Sequence, residues 1–167
     1  MQFLTPAMAV FVALAMNPVE QTEKDIGVIL NPQIACLAQN MYFEARSEST
    51  AGKIAVSNVV MNRVKSDMFP DTVCEVVYEG PHYTNYAGNL LPYKHRCQFS
   101  WYCDGKRDNI YDQKLYDDLY ILANLVYKNK IDLTDGALFY HADYVNPNWA
   151  KDMKITAKID THIFYRQ

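Results

Sequence analysis

The stretch CLAQNMYFEAR, residues 36–46, places a carboxylate where a helix would otherwise present apolar side chains. Leu37, Met41 and Glu44 follow one another at spacings of four and three, so they share one face of a helix. On that face Glu44 points towards the core. Loss of hydration raises the pKa of a buried glutamate, which makes Glu44 a candidate proton donor near neutral pH.

Glu44 also has a purely structural interpretation. The residue lies near the predicted end of its helix, where the side chain can turn to solvent or pair with Arg46 or Arg63. Structural ion pairs also place carboxylates at the edges of cores. Periodicity alone therefore leaves both interpretations open.

The composition limits the fold and the partners. A chain of 167 residues, with 50% apolar and 21% charged residues, is long enough for one domain with a real core. The formal net charge is −3 and the basic clusters are short, so nucleic acid is not an expected partner. Thirteen tyrosines and two tryptophans supply amphipathic rings that suit sugar or protein surfaces.

The four cysteines are compatible with two disulfides in an oxidising compartment. Three pairings are open. The favoured one joins Cys97 to Cys103, which are close in sequence, and therefore Cys36 to Cys74. A zinc site that uses cysteines with His95 and His141 is the alternative, but no Cys-x-x-Cys or His-x-x-x-His spacing supports it.

The N-terminal part differs in composition from the rest, which predicts a segment at residues 1–32 and a main domain at 33–167. Residues 3–16 form an apolar run that is too short for a stable membrane span. The run resembles the core of an export signal with a small-x-small pattern at residues 13–15, although no Lys or Arg precedes it. The alternative is a buried or partner-docked helix that is never processed.

Capping residues and apolar spacing predict helices first and strands last. Asn31-Pro32 opens the helix of Glu44, and Ser49-Thr50 caps a second helix that is apolar nearly all round and therefore buried. Arg63 on this second helix either orients a carboxylate or, as the simpler expectation, extends to the surface. The remaining elements are a short helix carrying Cys74, a long loop over 82–96, a helix over 112–128, and strands at 137–141, 155–159 and 162–166.

Five motifs stand in order along the chain. They are YFEAR (42–46), IAVSNVVMNRV (54–64), FPDTVC (69–74), CQFSWYCDG (97–105) and a segment from FYHADY (139–144) to HIFYR (162–166). Together they resemble the cell wall hydrolase family that includes the spore cortex-lytic enzymes, in the cysteine-containing form of Gram-negative bacteria and their phages. Each motif alone is weak, whereas five in register are specific.

This resemblance implies an α+β, lysozyme-like fold, mainly helical, with a small late antiparallel sheet. It also implies cleavage of peptidoglycan glycan strands between N-acetylmuramic acid and N-acetylglucosamine by a lytic transglycosylase that leaves 1,6-anhydro ends. The glutamate of the YFEAR motif, Glu44, would be the catalytic acid and then the base. No cofactor and no metal are expected, and the chain is expected to be a monomer.

Six further residues match the family's motifs and suit hydrogen bonding to sugars or stacking on them: Gln98, Ser100, Trp101, Tyr140, His141 and Tyr144. Each has an equally simple structural role. A second catalytic carboxylate, if one exists, would come from Glu48, Asp104 or Asp143, whose separations from Glu44 the sequence does not give.

Other functions stay open at this point. They are a hydrolytic muramidase, a non-catalytic cell-wall-binding or virion structural module, and a metal-dependent amidase or peptidase that uses His141, His162 and an acidic residue. The expected location is exported, periplasmic or cell-envelope, or phage-associated in a virion or in lysis. Residues 3–16 would then make a transient contact with a membrane or a virion.

Overall fold

The computed structural model of the protein describes residues 31–129 and 131–167. This part of the chain forms helices α1 (Pro32–Ala45), α2 (Thr50–Val64), α3 (Val73–Val77) and α4 (Gln113–Lys128). It also forms strands β1 (His82–Thr84), β2 (Leu90–Pro92), β3 (Phe139–Ala142), β4 (Lys154–Ile159) and β5 (His162–Arg166), with 3-10 helices at Ser100–Cys103 and Asn148–Asp152. The predicted fold class, mainly helical with a small late antiparallel sheet, is confirmed.

Helix α1 lies at the centre because three other helices, α2, α3 and α4, pack against it. Its start follows the predicted signal, with Pro32 in the first turn and the Asn31 side chain accepting a hydrogen bond from the Gln33 amide at 2.9 Å. Leu37 and Met41 are fully buried. The face predicted from spacings of four and three is therefore the core face, and Glu44 continues it towards the C-terminal end.

Helix α2 is capped by the Ser49 hydroxyl, as predicted, and its Arg63 is buried rather than extended to the surface. The Nε group of Arg63 donates to the Leu138 carbonyl at 2.8 Å. Its guanidinium carbon lies 4.9, 5.4 and 5.9 Å from the ring centres of Phe69, Phe99 and Phe139. The expectation of a surface arginine was wrong because three aromatic rings from distant segments enclose the cation.

The segment expected to be a long loop contains an antiparallel hairpin, β1–β2. Its turn is held by Asn85, whose side-chain oxygen accepts from the amides of Ala87 at 3.0 Å and Asn89 at 2.9 Å. Gly88 adopts a φ of +82°, in the left-handed region that favours glycine. These turn residues, rather than alternating hydrophobicity, define the hairpin.

The late sheet has the strand order β3-β5-β4 and is antiparallel throughout. Tyr140 is paired with Phe164 across β3 and β5. Phe164 is fully buried and packs with Val56 and Val59 of α2, which fixes the sheet against the helices. The sheet thereby brings β3 within reach of the C-terminal end of α1.

Both favoured disulfides are present. Cys36–Cys74 joins α1 to α3, and Cys97–Cys103 closes a loop around the 3-10 helix at Ser100–Cys103. Among the residues described, no helix has the length and apolar character needed to cross a membrane. The apolar run at 3–16 lies outside these residues, so the expectations for it remain predictions.

Candidate active site

A pocket of about 470 Å³ opens between the end of α1, the loop closed by Cys97–Cys103, and β3 with the residues that follow it. All seven predicted site residues line it: Glu44, Gln98, Ser100, Trp101, Tyr140, His141 and Tyr144. The fold thus brings together residues from three distant segments, whose roles remain predictions.

Glu44 is half-buried at this pocket, and its Oε2 accepts a hydrogen bond from the Tyr140 hydroxyl at 2.9 Å. Burial raises the pKa of Glu44 above its ordinary value, and the Tyr140 hydrogen bond and the charge of Arg63 offset only part of that rise. Among the residues described, Oε1 has no hydrogen-bond donor. The carboxyl group is therefore oriented by one oxygen, with the other left for a ligand.

Tyr140 is placed to remain a donor. Burial raises the pKa of its phenol well above the usual value, and the neighbouring charge of Glu44 adds to the effect. Its ring packs edge-on against His162, with ring centres 5.2 Å apart, and lies 5.7 Å from the ring of Phe164. The neutral phenol therefore donates to the carboxylate from a fixed position.

Arg63 and His162 also line the pocket, and neither was among the predicted site residues. Burial lowers the pKa of both side chains, although nearby Tyr140, Glu79 and Glu44 raise that of Arg63. Arg63 Nη1 and His162 Nδ1 are buried, and neither has a hydrogen-bond partner among the residues described. Strand alternation could have placed His162 inward, because it shares a face of β5 with Phe164.

The loop closed by Cys97–Cys103 lines the pocket with both exposed and buried side chains. Gln98 and Ser100 are exposed, whereas Trp101 is only 8% exposed. The indole N–H of Trp101 donates to the Asn40 side-chain oxygen at 3.0 Å, and its ring stacks on Phe43 with centres 4.7 Å apart. Trp101 can therefore offer a ligand part of its ring surface but not its N–H group.

His141 and Tyr144 differ in how much of the side chain is available to a ligand. The Nδ1 group of His141 lies 2.9 Å from the Ala142 carbonyl and Nε2 lies 2.8 Å from the Tyr165 hydroxyl, so both ring nitrogens already have partners. Tyr144, by contrast, is 82% exposed at the pocket rim. Tyr144 is thus free to contact a bound molecule, and His141 has a clear packing role.

Of the three conceivable second carboxylates, Asp104 alone lines this pocket. Glu48 accepts a hydrogen bond from the Thr161 hydroxyl at 2.7 Å, and Asp143 pairs with Lys158 at 3.5 Å. The Lys106 amide donates to Asp104 at 2.7 Å, which lowers the pKa of Asp104. Asp104 is therefore a candidate for an ionised group facing the same cavity as Glu44.

Metal ligands do not converge in the described part of the chain. His141 and His162 share the pocket, but within residues 31–129 and 131–167 no three or more His, Cys, Asp or Glu side chains are grouped to hold a metal ion. Both pairs of cysteines are used in disulfides.

The sequence model of the cell wall hydrolase family matches residues 47–165. The chain belongs to the cell wall hydrolase family. The matched residues include the loop closed by Cys97–Cys103, β3, β4 and most of β5 but begin after Glu44, so the match does not test the role of that residue.

Curated relatives of this cell wall hydrolase are spore cortex-lytic enzymes. The enzyme from Bacillus cereus is 28% identical over an alignment of 139 positions that covers 78% of this chain and 43% of that protein. The enzyme from Bacillus subtilis is 39% identical over 65 residues, or 39% of this chain and 21% of that protein. The chain spans less than half the length of the curated relatives it matches.

Solved structures show the same fold. The catalytic domain of the germination-specific lytic transglycosylase SleB from Bacillus anthracis has a TM-score of 0.57 and 28% identity, covering 80% of this chain and 93% of that one. The catalytic domain of the Bacillus cereus SleB protein has a TM-score of 0.55 and 27% identity, covering 80% and 89%. These neighbours confirm the lysozyme-like assignment.

Proposed function

We propose that this cell wall hydrolase cleaves the glycan strand of peptidoglycan between N-acetylmuramic acid and N-acetylglucosamine, acting as a lytic transglycosylase. The observation that carries the proposal is the half-buried Glu44, hydrogen-bonded by Tyr140 inside a pocket of about 470 Å³. Burial raises the pKa of Glu44, which favours the protonated form that a general acid needs.

The reaction requires two proton transfers through one carboxyl group. Protonated Glu44 donates its proton to the glycosidic oxygen as the bond from C1 of muramic acid breaks, and the N-acetylglucosamine portion leaves as an alcohol. The muramoyl acetamido group assists by stabilising the positive charge that develops at C1. The Glu44 carboxylate then accepts the proton of the 6-hydroxyl as O6 bonds to C1, which closes the 1,6-anhydro ring.

The other pocket residues form two groups, those exposed enough to contact a bound sugar and those whose polar groups already contact the protein. Gln98, Ser100 and Tyr144 are exposed and would contact the sugars directly, whereas Tyr140 would orient Glu44. Trp101 and His141 would shape the cavity, because their polar ring nitrogens already have protein partners. The action would take place in the cell envelope, in bacterial wall remodelling or in lysis or entry by a phage.

A hydrolytic muramidase is the second candidate, and the position of Asp104 favours it. Asp104 lines the same pocket as Glu44, and a second carboxylate can assist water or form a covalent intermediate in glycoside hydrolysis. In that reaction the product would carry a free reducing end instead of a 1,6-anhydro end.

Product analysis distinguishes the candidates. Purified protein is incubated with peptidoglycan sacculi, and the released muropeptides are identified by mass. We expect 1,6-anhydro ends from the native chain and no release from Glu44→Gln, with Glu48→Gln as the matched control that retains activity. Free reducing ends would favour the muramidase. Sacculi that are bound but not cleaved by either the native chain or Glu44→Gln would favour a non-catalytic binding module.

A further inference from the structure

The β1–β2 hairpin belongs to a segment with unusual surface chemistry. Residues 81–93 contain no Asp, Glu, Lys or Arg, yet most of the segment is exposed. An uncharged, exposed segment rich in tyrosine is typical of a surface that binds another molecule. The pocket residues described above do not include any part of it.

The strand register separates the side chains of the hairpin into two faces. Tyr83 is paired with Leu91, and the Tyr93 amide donates to the Pro81 carbonyl at 2.9 Å, so Tyr83, Leu91 and Tyr93 share one face. These three residues, here called the tyrosine face, are 40%, 37% and 43% exposed. The rings of Tyr83 and Tyr93 lie 5.0 Å apart, and the Arg96 guanidinium lies 5.7 Å from the Tyr93 ring.

The other face of the hairpin contacts the body of the protein through His82, at the start of β1. His82 Nε2 lies 3.0 Å from the hydroxyl of Tyr102, which belongs to the 3-10 helix at Ser100–Cys103. The Tyr102 ring in turn packs against Tyr78 at 4.8 Å. This contact holds the start of the hairpin in place, and Tyr83, Leu91 and Tyr93 stay exposed on the face opposite to His82.

The base of the hairpin is joined to the pocket wall by main-chain bonds. The Gln98 amide donates to the Glu79 carbonyl at 3.0 Å, just before the hairpin begins, and the His95 amide donates to the Cys103 carbonyl at 2.9 Å, just after it ends. The Cys97–Cys103 disulfide closes the same loop. The tyrosine face is therefore held in a fixed relation to Gln98 and Ser100 of the pocket.

We propose that the tyrosine face binds the glycan strand of peptidoglycan outside the pocket, as an extension of the substrate-binding surface. The inference rests on the proposed function. A polymeric substrate continues beyond the bond that is cleaved, and the C–H faces of pyranose rings stack on tyrosine rings while the phenol groups offer hydrogen bonds. Residues 81–93 carry no charged side chain, which suits an uncharged sugar backbone, and the Arg96 guanidinium beside Tyr93 can donate hydrogen bonds to sugar hydroxyls.

A lipid surface fits the hairpin less well. A membrane-inserting hairpin gathers several apolar residues at its tip, whereas the tip here places one large ring, the fully exposed Tyr86, between Asn85 and Asn89, and the Asn85 side chain is used to hold the turn. Leu90, 67% exposed, lies on the face opposite to the tyrosine face. Apart from Tyr86, the large apolar groups are thus spread along both sides of the hairpin rather than gathered at its end.

The test measures binding separately from cleavage. Tyr83→Ala/Tyr93→Ala is made in the Glu44→Gln background, and its affinity for purified sacculi and for peptide-free glycan strands is measured by co-sedimentation. We expect about tenfold weaker binding to both, since two exposed anchor residues are lost. Tyr111→Ala in the same background, which removes an exposed tyrosine outside the hairpin, should bind as tightly as the parent.

Three other outcomes would contradict the proposed role of the tyrosine face. Unchanged affinity of the double variant, loss of binding when the peptides are removed, or a tyrosine-dependent affinity for phosphatidylglycerol vesicles would each overturn the inference. Equal thermal midpoints of the double variant and its parent verify that the fold is intact. Cleavage of sacculi by Glu44→Gln would contradict the proposed function, whereas unchanged binding of the double variant would contradict only the role of the hairpin.

Discussion

The hydroxyl of Tyr140 donates a hydrogen bond to Oε2 of Glu44 at 2.9 Å, across 96 positions of the chain. A hydrogen bond of this kind stabilises the charged carboxylate and so opposes the effect of burial on its pKa. Orientation and acidity of the proposed catalytic acid therefore depend on the same contact.

Tyr140→Phe removes that donor while keeping the ring. The pKa of Glu44 should rise further, and because the acid must be protonated, the alkaline limb of the activity profile should move to higher pH. Loss of orientation should lower the rate at the optimum by about tenfold, the worth of one hydrogen bond. The measurement is muropeptide release against pH, with Tyr127→Phe as control. An alkaline limb that stays in place or moves to lower pH would contradict the assignment.

Glu44→Gln should make the protein more stable at pH 7. The folded-state pKa of Glu44 is raised above 4.5, so the stability that the protonated group provides is complete below pH 4.5 and is lost as pH rises through the higher folded value. The glutamine cannot lose a proton and avoids this loss. Urea midpoints at pH 7 and pH 4 measure the effect, which should vanish at pH 4. Glu48→Gln should show no comparable gain, and a gain for Glu44→Gln that persists at pH 4 would refute the explanation.

Arg63 should affect both stability and acidity. Arg63→Lys and Arg63→Met each remove the Nε bond to the Leu138 carbonyl, at a cost of about 1–3 kcal/mol in the free energy of unfolding. Only the methionine variant removes the positive charge that lowers the pKa of Glu44, so it alone should shift the alkaline limb to higher pH. Denaturant unfolding and pH profiles test the two effects separately, and equal profiles for the two variants would exclude the electrostatic role.

Asn40 should contribute to stability through its hydrogen bond with Trp101. Asn40→Leu leaves the buried indole N–H without its acceptor, and the free energy of unfolding should fall by about 1–3 kcal/mol. Trp101→Phe removes the donor, so the combined variant should lose less than the sum of the two single losses. A double-mutant cycle in urea provides the measurement. Simple additivity would mean that the hydrogen bond contributes no coupling.

The two disulfides should differ in their effect on stability. Cys36 and Cys74 are 38 positions apart, whereas Cys97 and Cys103 are six apart, so the first constrains the unfolded chain more. Replacing the first pair by serine should cost about 4 kcal/mol and replacing the second about 2 kcal/mol. Unfolding curves without reductant provide the comparison. The reverse order would show that native-state packing, rather than chain entropy, dominates.

Local signals predicted much of the fold. Asn31-Pro32 and Ser49 cap the first two helices as expected, and the spacing of Leu37, Met41 and Glu44 identified the core face of α1. The short spacing of Cys97 and Cys103 also favoured the pairing that the structure has, with Cys36 and Cys74 left as the second pair. Such features depend on residues close together in the chain, which is why they can be read without a structure.

The remaining features depend on contacts between distant segments. Arg63 is buried because Phe69, Phe99 and Phe139 converge on it, and no spacing in the sequence indicates that convergence. His162 reaches the pocket through the register of the late sheet.

The β1–β2 hairpin, by contrast, had a local signal that the expectation of a long loop did not use. Asn85 and Gly88 are turn residues between two short uncharged runs.

The strand order β3-β5-β4 also bears on the order of events during synthesis. Tyr140 is positioned by pairing with Phe164 of β5, the last strand of the described residues, whereas Glu44 lies on their first helix. A chain emerges from the ribosome N-terminus first, and so the acid is made 96 positions before its donor. The nascent protein therefore carries a carboxylate without its Tyr140 donor until β5 has been made and docks against β3, and the proposed enzyme is not competent before that step.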